Sequence, residues 1–136
     1  MRRRSDWHQR LTSYLMATRR ALFAYGSHDC AVWTAGAVEA MTGEDVGAGW
    51  RGAYATEAEG LAELRAAGWD DHVALAASLL PEIEPRQARP GDVAAVATAD
   101  GVALGVVQGP YVYVPQARGV ALVDRAAMSR AFRLEG

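Results

Sequence analysis

The residues best suited to chemistry lie in one short stretch, Tyr25-Gly26-Ser27-His28-Asp29-Cys30, which ends on the only cysteine of the chain. A helix-forming run follows directly, so Cys30 is expected at a helix start. There a thiol faces unpaired amide N–H groups and the positive end of the helix dipole, and both favour the thiolate. That is half of a cysteine hydrolase. The other half is a general base, normally an imidazole about 3 Å from the sulfur and oriented by a third polar group. Of the three histidines, His28 is close in sequence, but side chains two residues apart at a helix start usually diverge; His8 and His72 fall in other segments. A second reading stays open for each residue. Cys30 is equally a small, half-buried apolar side chain. His28 and Asp29 are equally turn residues, the carboxylate capping the helix that follows. Asp70, Asp71 and His72 stand in succession, but adjacent residues rarely converge on one ion without a distant ligand, so neither a metal nor a cofactor is expected.

The elements that must position these residues follow from periodicity. Trp7, Leu11, Tyr14 and Leu15 recur at three- and four-residue steps, predicting a helix over about 5–22 with Ser5 or Asp6 as its cap and Leu22 extending its stripe. Gly26 breaks it. A second helix is expected over 30–42, capped by Asp29, with Val32, Ala35, Val38 and Met41 inward and Gly43 as the stop. Trp33 lies off that stripe and is expected to face a third helix or a partner. The third helix, 56–67, opens with a capping-box pattern at Thr56–Glu59, and a fourth, 71–79, follows Asp70 or Asp71. From about 92 to 134, short valine-rich runs punctuated by Gly and Pro predict consecutive antiparallel strands, the last of them at the sheet edge. Helices first and strands afterwards make one α+β domain over residues 1–136. Between the second and third helices lies an aromatic loop. There Trp50, Arg51 and Tyr54 form a candidate interface or fold back over the Cys30 groove.

Composition narrows the function classes. The chain has 136 residues, 51% hydrophobic and 22% charged, with a formal net charge of -2. That balance gives no global field for nucleic acid or an anionic membrane. All fourteen basic residues are arginine. Arg2 to Arg4 are expected to form a frayed, solvated end. A lone cysteine excludes an internal disulfide framework and a multi-thiolate zinc site. No run has the apolar core of a secretory signal or the roughly twenty residues of a membrane span, so synthesis in a cytoplasm without a signal peptide is expected.

The order of these motifs resembles the small papain-like fold of NlpC-type cell-wall peptidases. The turn before Cys30, the Gly91-Asp92 pair opening the sheet and the Val102–Val107 strand all have counterparts there. More closely, Tyr25 to Cys30, Thr42-Gly43-Glu44-Asp45 and Ala53-Tyr54-Ala55-Thr56 resemble short, divergent NlpC-like proteins of tailed-phage and gene-transfer-agent tail clusters. The resemblance implies Cys30 as nucleophile, a histidine opening the strand near Ala103, and a polar residue on the next strand, for which Gln116 is the candidate. No histidine follows His72. Losing the base of such a dyad removes several orders of magnitude in rate. The resemblance therefore implies a structural component of a tail tip or tail assembly, an adaptor between hub, distal-tail or fibre proteins, present in the virion in several copies that follow tail symmetry. The alternative it implies is a cysteine peptidase or amidase cutting peptidoglycan stem peptides during genome delivery, with His28, Asp29 or Gln116 assisting Cys30.

Overall fold

The turn at Gly26 and the helix cap at Asp29 set the architecture, because they separate an outer helix from a central one. In the computed structural model, which describes residues 1–136, α1 spans Trp7–Thr18 and α2 spans Cys30–Thr42, followed by α3 (Glu57–Ala66) and α4 (His72–Leu79). Six strands follow: β1 (Glu82–Ile83), β2 (Val93–Thr98), β3 (Gly101–Gln108), β4 (Tyr111–Gln116), β5 (Gly119–Asp124) and β6 (Met128–Phe132). They form one antiparallel sheet in the order β1-β6-β2-β3-β4-β5. The fold is therefore α+β, with four N-terminal helices and a C-terminal antiparallel sheet.

Alternation along the strands sorts the sheet into two faces. Val93, Ala95, Leu104, Val106 and Phe132 point to the helices and join Leu11, Leu15, Trp33, Val38 and Met41 in the main core. Ala94, Val96, Val107, Val112 and Val114 form a smaller buried cluster on the opposite face. Register holds this division, since a one-residue slip would reverse every side chain. Asp92 anchors the sheet at its β2 end. Fully buried, its carboxylate accepts from the N–H groups of Arg89 (2.9 Å) and Leu134 (3.0 Å).

Several expectations need correction. The first helix stops at Thr18, and Leu22, 67% exposed, belongs to no stripe. Asp6 occupies the cap position of α1, yet its carboxylate bonds Arg10 rather than a backbone amide. Trp33 packs on α1, not on α3 or outward. Its ring lies 5.6 Å from that of Tyr14, its indole N–H donates to Thr18 Oγ1 (2.9 Å), and its own carbonyl accepts from the Tyr14 hydroxyl (2.7 Å). The last strand, β6, is interior to the sheet, because β1 adds beyond it. The N-terminal arginines are pinned, not frayed: Arg3 stacks over Trp7 at 4.1 Å and donates to the Pro90 carbonyl, while its N–H bonds Glu135.

Candidate functional site

Cys30 is the first residue of α2, as the turn chemistry predicts. Asp29, only 4% exposed, caps the helix by accepting from Val32 N–H at 2.9 Å. Its other oxygen accepts from Gly26 N–H (2.8 Å) and from the Tyr54 hydroxyl (2.5 Å). Gly26 has φ 85°, and a Cβ there would collide with the Tyr54 carbonyl oxygen. Gly52 N–H in turn donates to the Gly26 carbonyl (2.9 Å). Two motifs that are distant in sequence, the glycine turn and the aromatic loop, are thus one unit closed around a buried carboxylate. Asp29 is structural here. All three of its side-chain hydrogen bonds are to its own turn, its helix or Tyr54, and none is to the thiol or an imidazole.

The electrostatics of the thiol follow from two opposed effects. Backbone N–H groups of Leu104, Cys30 and Ala31 face the sulfur and favour the anion, while burial and the adjacent Asp29 charge disfavour it. Burial is the largest contribution, and the thiol is pushed up to about 11. A nucleophilic cysteine needs the opposite shift. No imidazole is among the main influences on Cys30. His28 Nδ1 and His72 Nε2 are both buried without a hydrogen-bond partner, so neither bonds the sulfur.

Within the stretch near Ala103, the structure separates neighbouring residues onto opposite faces of the sheet. Ala103 points to the far face of the sheet, against the smaller cluster. Leu104 is the β3 residue that shares the main core with Cys30, and its backbone N–H faces the sulfur. The β3 residue on the Cys30 side of the sheet is therefore aliphatic.

A cleft of about 840 Å³ opens beside Cys30 between α2, the α3–α4 pair and the β2–β3 turn. It brings together Cys30, His72, Gln116, Trp50 and Tyr54, whereas His28, Arg51 and His8 lie outside its lining. The aromatic loop does fold over the groove, through Trp50 and Tyr54. Arg51 turns away to Asp45 (2.8 Å) and Glu39 (3.6 Å). His72 lines the cleft, and the cap of α4 is Asp71, which accepts from Ala74 N–H at 2.8 Å. No three His, Cys, Asp or Glu side chains gather as a metal site. Residues 2–134 match the family described as Domain of unknown function (DUF6950). The chain belongs to that family. No curated protein matches it. The DUF6950 match spans the turn, the aromatic loop and the sheet together, so the Asp29-centred unit and all of the cleft lining but Met1 lie within the family domain.

Sequence reasoning missed Thr34, buried at 4% exposure and lining the cleft one turn beyond Cys30. The signal was present, since residues four apart share a helix face.

A raised thiol makes two measurable statements. At neutral pH the thiolate fraction falls roughly 100-fold below that of an unperturbed cysteine, so iodoacetamide should modify Cys30 slowly and with a rate still climbing above pH 9. Stability should respond as well. Below pH 9 the thiol is protonated whether the chain is folded or unfolded. Between pH 9 and about 11 the unfolded chain loses the proton first, so unfolding becomes easier as pH rises. Thermal scans across that window should show a decline that Cys30→Ala reduces. Burial also raises Tyr14, Tyr25 and Tyr54, which leaves a residual decline at higher pH.

Proposed function

We propose that this domain is a non-catalytic, NlpC-like adaptor of a phage or phage-like tail tip. The observation that supports the reading is the setting of Cys30: a thiol desolvated against the β3 backbone and Leu104, with its proton held tightly and no imidazole in hydrogen-bond contact. Acyl transfer by cysteine requires removal of that proton before or during attack, and no imidazole is hydrogen-bonded to the sulfur to take it. What persists is the part of such a fold that binds: a rigid helix start, an aromatic loop locked to it, and a cleft.

The order of motifs supports the tail context, and a particle component would act through its surfaces. The test is genetic and biochemical together. Particles carrying Cys30→Ala should assemble and infect at the wild-type titre, while deletion of the gene should leave tails defective. Purified wild-type protein should release no peptide from peptidoglycan. Cleavage of peptidoglycan that is lost in Cys30→Ser would overturn the reading and make the chain a hydrolase.

A further inference from the structure

The cleft beside Cys30 is furnished for an occupant. Helical threonines normally return their hydroxyl to the carbonyl one turn back, and three here do so: Thr12 to His8 (2.9 Å), Thr18 to Tyr14 (2.8 Å) and Thr42 to Val38 (2.8 Å). Thr34 does not. Its hydroxyl is buried in the cleft wall with no partner, and His72 Nε2 on another wall is likewise unpartnered. Orphaned buried polar atoms are costly and uncommon, so each marks a place where a partner group belongs.

The remaining lining has a consistent chemistry. Leu61, Leu64 and Leu75 carry the apolar stripes of α3 and α4, yet they belong to neither core cluster and line the cleft instead. At its rim Tyr25, Leu79 and Val102 are 38%, 45% and 49% exposed. The acidic side chains of the lining are Asp29, Glu57, Asp71 and Asp100, and no arginine is among the lining residues. Asp29 and Asp71 are engaged in capping, which leaves Glu57 and Asp100 free for a ligand. Burial first, and then the charges of Glu57 and, more weakly, Asp100, raise the Tyr25 hydroxyl on the same cleft.

We infer that this cleft is a docking groove for a polypeptide segment of a partner protein, one that sets apolar side chains against the α3–α4 leucines and a basic side chain at Glu57 and Asp100. Polar atoms of that segment meet the Thr34 hydroxyl and His72 Nε2. The groove's volume suits a few side chains, and its charge is complementary to a cation flanked by apolar residues. The inference rests on the adaptor reading for the nature of its occupant.

Selection of a randomised peptide library on the full-length immobilised protein tests it. Enriched peptides should carry Arg or Lys beside Leu, Ile, Phe or Val. By fluorescence polarisation, the Glu57→Gln/Asp100→Asn pair should weaken the best of them roughly ten-fold at low salt, and Thr34→Val about five-fold. Thr34→Val should leave thermal stability unchanged or slightly higher, because the native hydroxyl has no intramolecular partner to lose. Leu61→Arg, which puts a cation of the chain itself into the groove, should suppress binding with the fold intact by circular dichroism. Failure to enrich peptides, enriched peptides without a cation, or affinities indifferent to these substitutions would overturn the groove and leave the non-catalytic reading standing. Cleavage of a bound peptide by the wild type but not by Cys30→Ala would do the reverse.

Discussion

Asp29→Ala is expected to lower the unfolding free energy by about 3–5 kcal/mol, among the largest losses available to a single substitution in this chain. The helix cap alone is worth about 1 kcal/mol. The rest comes from the donors left behind: Gly26 N–H, Val32 N–H and the Tyr54 hydroxyl all aim at a carboxylate that would be gone. Solvent cannot replace it easily, because the site is 4% exposed. Tyr54→Phe separates the contributions, since it removes one donor and leaves the cap; a loss of about 1 kcal/mol is expected. Urea unfolding of the three proteins measures both. Near-equal losses for Asp29→Ala and Tyr54→Phe would show that the carboxylate does not hold the turn and the loop together.

Trp33→Ala should cost a comparable amount, about 3–5 kcal/mol, for a different reason. The ring is 1% exposed and fills the joint between α1 and α2, so its removal leaves a cavity that two fixed helices cannot collapse into. The indole also satisfies Thr18 Oγ1. Trp33→Phe keeps most of the volume and loses only that hydrogen bond, so it should retain the greater part of the stability. Thermal unfolding followed by far-ultraviolet circular dichroism compares the pair. A small effect of Trp33→Ala would mean that α1 is not held through this ring.

These two positions also show what could be read from the chain alone. Asp29 was legible because capping is local: a short acceptor before a helical run meets an amide three residues on, whatever the rest of the fold does. The same locality made Gly43 and Thr56 legible, the latter accepting from Glu59 N–H. Trp33 was not legible. α2 is buried on nearly every side, between α1 and the sheet, so an apolar stripe could not say which neighbour each side chain would meet. The α3–α4 wall of the Cys30 groove escaped for a related reason. Leu61, Leu64 and Leu75 have the spacing of core residues, and only the packing of α3 and α4 leaves them facing an open space. At Cys30 the sequence showed that no histidine follows His72 but not the phase of β3, and one residue of phase decides whether Ala103 or Leu104 lies on the Cys30 side of the sheet. The inner place of β6 was equally hidden, since the two-residue β1 that covers it carries too little pattern to announce a strand.

Backbone pairing between Arg2 and Glu135, with Arg3 N–H on the Glu135 carbonyl at 2.7 Å, brings the two ends of the domain side by side. A polypeptide entering at one end and leaving at the other would do so almost at a single point. A label or fusion placed at either end of the domain would therefore attach at nearly the same spot on its surface.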